Sequence, residues 1–255
     1  MEMNNCVAVV AGGASGLGEA VVRGMVAKGG QASILDFDAE RGEKLAAELG
    51  DDAVFCKTDV TDEATLQAAM DKTMAAFGAI HVAVNCAGVA PPHKVIDKDG
   101  RPMPIEAFDK VIQINLVGTM NVVRLAAVEM LKNTPNEDGE RGVVINVASV
   151  AAFEGQVGQA AYSASKAGIV GMTLPLAREF ARSGIRVNTI APGIFMTPML
   201  AQLPEKAKEA LATMMPFPKR LGNPAEFAML AGQIIENPMI NGETIRLDAA
   251  IRMAA

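Results

Sequence analysis

The sequence predicts an α/β fold, a doubly wound parallel sheet with helices on both of its faces. Short apolar or β-branched runs alternate with longer helical patterns, and this alternation implies parallel strand pairing with right-handed crossovers. Several of the short runs are apolar throughout, as expected for strands that helices cover on both sides. The 255 residues show no composition shift and no internal repeat, so we expect a single domain.

The first half of the chain predicts strands and helices in strict alternation. Each strand prediction rests on a short apolar or β-branched run such as "CVAVVA", and each helix prediction on a longer helical pattern. The strands are expected over 6–11, 32–36, 53–58 and 81–85, and the helices over 18–29, 39–49, 62–77 and 105–132.

The second half continues this pattern, with strands expected over 142–149, 185–191 and 243–247 and helices over 160–182 and near 224–235. Three segments interrupt it, at 87–104, 133–141 and 192–220. Loops of such length inside a domain are usually functional or disordered. The first two are consistent with surface excursions. We expect the third, over about 193–220, to form a lid over the active site, with Met196, Met199, Met214 and Met215 in it.

Charge and composition argue against several classes of function. The formal net charge of −6 argues against a nucleic-acid-binding face, which is usually basic. No run of about 18 uninterrupted apolar residues occurs, so no membrane span is expected. His81 and His93 are the only histidines, and without a Cys or His cluster a metal site has little support.

The cysteines and the first residues bear on the compartment. Cys6, Cys56 and Cys86 are scattered and odd in number, which argues against a disulfide framework and favours a reducing compartment. The first apolar run leads directly into glycines, without a basic leader or a cleavable signal pattern. We therefore expect a cytoplasmic protein.

A glycine-rich loop follows the first predicted strand and opens the first predicted helix. Its glycines allow a tight turn and a close approach of a pyrophosphate to bare backbone, and the helix end offers free N–H groups. The spacing Gly-x-x-x-Gly-x-Gly differs from the G-x-G-x-x-G pattern, and a packing role is the alternative. We predict a phosphate-binding loop formed by Gly12, Gly13, Gly16 and Gly18.

Asp36 ends the second predicted strand, eighteen residues after Gly18. A carboxylate at this place can accept hydrogen bonds from both ribose hydroxyls of an adenosine and would repel a 2′-phosphate, which favours NAD over NADP. The alternative is a solvated aspartate at a strand end. Arg41 lies nearby, and we expect it to pair with a carboxylate on the surface.

These features, with the pair Tyr162 and Lys166, resemble the short-chain dehydrogenase/reductase family from about residue 6 to residue 253. The resemblance implies a single Rossmann-like domain that binds a nicotinamide dinucleotide. It rests on motifs in the family's order: "GGASGLG" (12–18), "DV" (59–60), "NCAG" (85–88), "NVAS" to "YSASK" (146–166) and "PGIFMTP" (192–198).

Three longer stretches resemble one group within this family, the type 2 3-hydroxyacyl-CoA dehydrogenases, which are also called 17-beta-hydroxysteroid dehydrogenases type 10. The stretches lie at 148–175, 216–228 and 241–253. They are more discriminating than the family motifs and imply the substrate class.

Tyr162, the only tyrosine, and Lys166 lie one turn apart and therefore on one face of a helix. A free phenol has a pKa of about 10. We expect the nearby ammonium, together with the positive nicotinamide of NAD⁺, to lower this pKa. By the resemblance, Tyr162 would remove the alcohol proton as hydride leaves carbon, a general-base step worth about 10²–10⁴-fold. The alternative for Tyr162 is a packing residue.

The resemblance implies further active-site roles. Lys166 would also hold the nicotinamide ribose, and Ser149 would hydrogen-bond the substrate oxygen and its developing charge. Asn115, in "QINLVG", would hold a water in the proton path, unless it makes a polar contact inside its helix. Gln156 either reaches the substrate carbonyl or is a solvated loop residue.

Other cofactor contacts are implied by position in the family motifs. Cys86 needs no redox role there, because a small apolar thiol packs well. The implied contacts are Ser15 and Leu17 in the phosphate loop, Asp59 and Val60 at the adenine, Cys86, Ala87 and Gly88 at the adenosine ribose, and Pro192, Gly193, Phe195 and Thr197 along the nicotinamide.

Two positions depart from the family pattern. Ala11 stands where the family usually has threonine, whose hydroxyl braces the neighbouring "NCAG" turn. Ala249 stands after Asp248 where glycine is frequent. Neither touches the proton or hydride path, so we expect activity to be retained.

The expected function is NAD-dependent oxidation of 3-hydroxyacyl-CoA in fatty acid metabolism. The lid methionines would form a pliable apolar wall, although core filling explains each one nearly as well. Basic residues in or beside the lid would meet the phosphates of coenzyme A, or would simply be solvated: Lys206, Lys208, Lys219 and Arg220. The resemblance also implies a homotetramer, with no direct nucleic-acid or membrane partner.

Other functions are weighed beside this one. The resembled group also oxidises steroid and other secondary alcohols. An NADPH-dependent 3-oxoacyl reductase is opposed by Asp36. A non-catalytic dinucleotide-binding scaffold subunit is opposed by the intact set of Ser149, Tyr162 and Lys166.

Overall fold

The computed structural model describes residues 1–201 and 204–254, apart from the side chain of Met199. Within these residues, seven strands form one parallel sheet in the order β3-β2-β1-β4-β5-β6-β7. The predicted α/β fold is confirmed, and each predicted strand agrees with the observed one to within two residues. The strands are β1 (Val7–Ala11), β2 (Gln31–Asp36), β3 (Ala53–Lys57), β4 (Val82–Asn85), β5 (Gly142–Val147), β6 (Ile185–Pro192) and β7 (Thr244–Leu247).

Helices cover both faces of this sheet. The predicted helix over 105–132 is continuous but contains a π-helical turn at Gln113–Val117, which separates α4 from α5. The helices are α1 (Gly16–Ala27), α2 (Ala39–Leu49), α3 (Glu63–Phe77), α4 (Ile105–Ile112), α5 (Gly118–Met130), α6 (Ala160–Phe180), α7 (Pro198–Ala201), α8 (Glu205–Thr213) and α9 (Pro224–Glu236).

Two apolar layers hold the fold together, one on each face of the sheet. Alternate strand residues point to opposite faces, so Val10 packs with α1, α2 and α9 while Val9 packs with α3, α5 and α6. Both valines are fully buried, and burial of one such side chain contributes about 1.5–3 kcal/mol. This double coverage explains why the central strands are apolar throughout.

The strand order places a crevice at the carboxyl ends of β1 and β4. The chain leaves β1 for β2 on one side, while β4 lies on the other, with Ala11 opposite Asn85. In open α/β sheets, ligands bind outside the strand ends at such a reversal of strand order. The glycine loop and the "NCAG" turn both leave the sheet here.

The segment predicted as a lid contains α7 and α8. Gln202 and Leu203, and the side chain of Met199, lie outside the described residues. Near its end, Met215 is buried against Val150 and Ile251. The lid function itself stays a prediction.

One helix, Ile105–Met130, is long and apolar enough to cross a membrane by length and composition. This is weak evidence for a span, because the core helix of a soluble protein meets the same criteria. Its outward residues Val128 and Leu131 are about half exposed. The expectation that the chain has no membrane span stays a prediction.

Candidate active site

The glycine loop is shaped so that backbone alone faces the crevice. Gly12 has φ +71°, and a Cβ on it would lie 2.7 Å from the backbone nitrogen of Ala87. Gly16 has φ +58° and approaches the lid start, where a Cβ would lie 3.5 Å from Cγ2 of Thr197. Ser15 is extended and precedes α1, and Leu17 packs against the core. The residues present therefore fit a pyrophosphate held by backbone N–H groups at a helix start.

Asp36 is fixed beside this loop by two backbone amides. Its Oδ2 accepts from Ala14 N at 3.0 Å, and its Oδ1 accepts from Asp38 N at 3.0 Å. A carboxylate has about four lone-pair positions, so acceptor capacity remains for two ribose hydroxyls. Arg41 pairs with Asp38 (Nε to Oδ2, 3.4 Å), which confirms the predicted surface pairing.

The adenine side of the crevice contains one residue that the sequence reasoning missed. Phe37 follows Asp36, is 72% exposed, and has Lys57 Nζ 5.9 Å from its ring centroid. An exposed aromatic ring beside the carboxylate predicted to bind ribose is a suitable stacking surface for a base. Of the predicted adenine contacts, Val60 is buried, and Asp59 accepts hydrogen bonds from the amide and hydroxyl of Thr61 within its own turn.

The turn after β4 lies directly against the glycine loop. The amide of Cys86 donates to Ala11 O at 2.8 Å, so backbone braces this turn despite the alanine at position 11. Burial raises the pKa of the Cys86 thiol to about 12, which keeps it protonated and unreactive. Gly88 is tightly packed, since a Cβ there would lie 3.2 Å from Asn115 Oδ1 and 3.6 Å from Lys166 Nζ.

Asn115 is fully buried in the π-helical turn, and its side chain is engaged with protein groups. Its Oδ1 accepts from Val89 N at 2.8 Å, while its Nδ2 donates to Val89 O at 2.9 Å and to Ser165 Oγ at 3.1 Å. These partners lie in the segment after β4 and in α6, so the contact is not the one inside its own helix that the sequence analysis gave as the alternative. The predicted role in holding a water stays a prediction.

Ser149, Tyr162 and Lys166 meet at the carboxyl end of β5. The Tyr162 hydroxyl lies beside the side chain of Ser149, and Lys166 Nζ lies 5.8 Å from the centre of the Tyr162 ring. Lys166 is 5% exposed and donates to Val147 O at 2.7 Å. Ser149 Oγ also accepts from Ala151 N at 3.1 Å, which fixes the hydroxyl at the start of the next loop.

The two titratable groups of this cluster are both shifted by burial. Burial raises the pKa of Tyr162 above its usual range, and the neighbouring Ser149 side chain opposes that rise. Burial lowers the pKa of Lys166 to about 8. The protein's own groups therefore raise the pKa of the Tyr162 phenol, whereas the sequence led us to expect that Lys166 would lower it. The ammonium sits 5.8 Å from the ring and is held by a carbonyl.

The start of the lid segment lies between the glycine loop and the last strand. Gly193 N donates to Leu247 O at 2.9 Å, next to Pro192 at the end of β6. The ring of Phe195 points into the core, where it meets Phe227 edge-on with centroids 6.4 Å apart. Only the backbone of Phe195 is therefore available to a ligand, and its predicted place along the nicotinamide stays a prediction.

Gln156 makes a contact that neither sequence interpretation included. Its Nε2 donates to Ala254 O at 2.9 Å, which ties the loop after Ser149 to the chain end.

Among the lid cations, Lys208 pairs with Glu205 at 3.1 Å and Arg220 with Glu226 at 2.6 Å. Both ion pairs reduce the charge available for phosphates. Lys206 on α8 and Lys219 in the segment after it are both exposed.

No group of three or more His, Cys, Asp or Glu side chains in the described part of the chain is placed to hold a metal ion. The crevice instead brings together a glycine cradle, a fixed carboxylate and a serine–tyrosine–lysine cluster. Together these groups can hold a dinucleotide and exchange a proton with an alcohol or carbonyl oxygen.

Comparison with known proteins agrees with this geometry. A family model described as short chain dehydrogenase matches residues 6–208. The chain is 56% identical to a 3-hydroxyacyl-CoA dehydrogenase type-2 of Homo sapiens over 248 residues, which cover 97% of this chain and 95% of that protein. It is 51% identical to the protein of the same name from Drosophila melanogaster, with coverage of 98% and 99%. The crystal structure of 3-hydroxyacyl-CoA dehydrogenase type-2 from Mycobacterium avium superimposes with a TM-score of 0.95 at 44% identity, with coverage of 98% and 97%.

Proposed function

Since the chain belongs to the short-chain dehydrogenase family, we propose that it catalyses the reversible NAD-dependent oxidation of 3-hydroxyacyl-CoA to 3-oxoacyl-CoA. The family implies a nicotinamide dinucleotide, which when bound accepts or donates the hydride. The observation that carries the proposal is the cluster of Ser149, Tyr162 and Lys166 beside the glycine cradle. The substrate class is supported by relatives at 51–56% identity that bear this name.

The cluster supports a direct division of roles. The Ser149 hydroxyl is fixed where it can donate to the substrate oxygen and stabilise charge that develops there. Tyr162, beside Ser149, takes the alcohol proton during oxidation and returns it during reduction. Lys166, with a pKa of about 8, is largely cationic at neutral pH and would hold the nicotinamide ribose when the dinucleotide is bound.

NAD is favoured over NADP by Asp36. Its carboxylate is held at the adenosine side by Ala14 and Asp38 amides, so it cannot easily swing away from a 2′-phosphate. The nearest arginine on the following helix, Arg41, is paired with Asp38. This arrangement favours two ribose hydroxyls and disfavours a phosphate.

The lid segment adds two features that suit an acyl-CoA substrate, apolar methionines and exposed lysines. Met214 and Met215 bring flexible apolar side chains to the end of the lid segment, and Met215 is buried. Because Lys208 and Arg220 are paired with carboxylates, Lys206 and Lys219 are the cations we propose for coenzyme A phosphates. We place the reaction in cytoplasmic fatty acid metabolism.

We also propose a homotetramer. The outward faces of the π-helical turn, of α5 with the residue that follows it, and of α6 expose apolar side chains, as a subunit interface would require. These side chains are Val117 at 38%, Met120 at 37%, Val128 at 53%, Leu131 at 51% and Leu174 at 44% exposure.

The decisive experiment follows NADH oxidation at 340 nm with acetoacetyl-CoA, with NADPH in a parallel reaction. The proposal expects turnover with NADH and at least ~10-fold weaker kcat/KM with NADPH, the equivalent of ~1.4 kcal/mol. A steroid ketone in place of the thioester tests secondary-alcohol specificity. Turnover of the steroid without turnover of acetoacetyl-CoA would reject the substrate class, and NADH binding without any turnover would favour a scaffold role.

A further inference from the structure

The chain end folds back over the loop that begins at Ser149. We call residues 248–254 the C-terminal tail and residues 150–159 the Ser149 loop. The tail starts at two consecutive left-handed residues, Ala249 (φ +50°) and Ala250 (φ +62°), which redirect the chain after β7. This reversal brings the tail against the Ser149 loop.

Glu154 is the polar centre of the contact between loop and tail. Its Oε1 accepts from Arg246 Nη1 at 2.7 Å, and its Oε2 accepts from Arg246 Nη2 at 3.1 Å and from Met253 N at 3.2 Å. Arg252 Nε lies 3.4 Å from Oε1. The pKa of Glu154 is lowered, first by the hydrogen bonds from Arg246. One carboxylate therefore binds the last strand and the tail at once.

Arg246 is itself held in place on several sides. Its Nε donates to Asp248 Oδ2 at 2.7 Å, and its Nη2 also donates to Ile251 O at 3.0 Å. Its guanidinium lies 5.2 Å from the ring centroid of Phe153, the neighbour of Glu154. Because a guanidinium is planar and rigid, these contacts fix the orientation of Glu154 as well.

An apolar cluster joins the tail to the lid segment. Ile251 of the tail is fully buried against Val150 of the Ser149 loop and Met215 of the lid segment. Met214 and Met253 pack around the three. The tail thus contacts the loop that carries the substrate-facing hydroxyl and the segment proposed to cover the substrate.

We propose that the C-terminal tail couples the lid segment to Ser149, and that Glu154 is the positioning residue of this coupling. Glu154 acts through the short 3-10 turn Val150–Ala152, whose Ala151 amide binds Ser149 Oγ. Displacement of the tail would therefore move the hydroxyl and the lid end together. This inference rests on the proposed function for its kinetic effect, although the physical coupling does not depend on the substrate.

The test compares Glu154→Gln with Glu63→Gln. Glutamine keeps the size of the side chain and removes its charge. Glu63, the first residue of α3, pairs with Arg124 through two nitrogens, so its variant controls for the loss of any bidentate ion pair. Hydrogen–deuterium exchange is followed in 150–159 and 205–215, and kcat and KM are measured with acetoacetyl-CoA and NADH.

Coupling predicts faster exchange in both segments of Glu154→Gln and in neither segment of Glu63→Gln. It also predicts a loss of about 10-fold in kcat/KM for acetoacetyl-CoA while the Kd for NADH is unchanged, because misplacement of a reacting group is costly. Faster exchange in 150–159 alone, or an equal loss of NADH affinity, would overturn the proposal. If the wild type fails to reduce acetoacetyl-CoA, the proposed function fails, while the exchange result still decides the coupling.

Discussion

Asn115 and Val89 are joined by two hydrogen bonds, with the side-chain amide of one paired to the backbone amide and carbonyl of the other. This pair ties the π-helical turn to the segment after β4, which also packs on the glycine loop. Because Gly88 lies between Asn115 and Lys166, the Asn115–Val89 pair also fixes the backbone that packs against Lys166. A residue inside one helix thus fixes two sides of the crevice.

Replacement of Asn115 tests this account. We expect Asn115→Leu to lower the free energy of unfolding by about 2 kcal/mol, because the half-buried amide and carbonyl of Val89 lose their partners at ~1 kcal/mol each, the lower end of the cost of an unpaired polar group. Gln113→Leu removes an exposed amide from the same turn and should change stability by less than ~0.5 kcal/mol. Urea unfolding of both variants measures the difference. Equal stability of the two would contradict a structural role for Asn115.

Removal of the phenol hydroxyl tests the proton transfer. Tyr162→Phe should reduce kcat by at least about 10²-fold, because no other group of the cluster is placed to exchange the substrate proton. NADH binding, followed by fluorescence, should be unchanged. Ser163→Ala is a matched control, since the buried Ser163 hydroxyl has no hydrogen-bond partner among the described residues. Comparable turnover in Tyr162→Phe and wild type would exclude Tyr162 as the general acid and base.

The buried lysine predicts a pH dependence of stability. The pKa of Lys166 falls from 10.5 to about 8 on folding, so between these values the unfolded chain holds the proton more often than the folded one. The free energy of unfolding therefore rises with pH across this window, by up to roughly 3 kcal/mol. Below about pH 8 both states hold the proton, so Lys166 makes the stability neither rise nor fall with pH.

Comparison with Lys166→Met isolates this effect, because Cys86 and Tyr162 titrate in the same range with the opposite sign. Chemical denaturation of both proteins from pH 7 to 10.5 gives the difference in stability. We expect wild type to gain on the variant as the pH rises above about 8. A difference that does not vary with pH would show that Lys166 keeps its ordinary pKa on folding.

Cofactor selectivity is predicted to depend on the charge of Asp36 and not on that of Glu40. Two like unit charges ~4 Å apart repel by about 4 kcal/mol at an effective dielectric constant of ~20. Asp36→Asn should therefore raise the ratio of kcat/KM for NADPH over NADH by at least about 10-fold. Glu40→Gln removes a negative charge from the exposed first turn of α2 and leaves the pair between Arg41 and Asp38 intact. A similar shift in both variants would assign selectivity to net charge alone.

The sequence predicted the fold and the chemical cluster because both depend on local pattern. Apolar runs covered on two faces locate the strands, and the four-residue spacing of Tyr162 and Lys166 places both on α6. Two details could not be predicted, since nothing local indicates that the ring of Phe195 turns into the core or that the amide of Gln156 reaches Ala254. The sign of the Tyr162 pKa shift also needed the degree of burial.

The last prediction concerns Ala249, which stands where the family frequently has glycine, and its neighbour Ala250. Ala249 and Ala250 both have positive φ, a region that costs an L-residue roughly 1–2 kcal/mol, whereas glycine adopts it freely. Glycine also makes the unfolded chain more flexible, which offsets roughly 0.4–1 kcal/mol of that gain. Ala250 is exposed, so Ala250→Gly should stabilise the protein by about 0.5–1 kcal/mol.

Ala249→Gly should stabilise less, because its methyl group packs beside Ile251 and that contact is lost. Ala47→Gly is the control, since Ala47 is exposed within α2 and the change should destabilise by about 1 kcal/mol. Urea midpoints of the three variants separate backbone conformation from packing, because the methyl groups at 47 and 250 are both exposed and only the sign of φ differs. Destabilisation by Ala250→Gly would mean that the left-handed turn into the tail carries no strain.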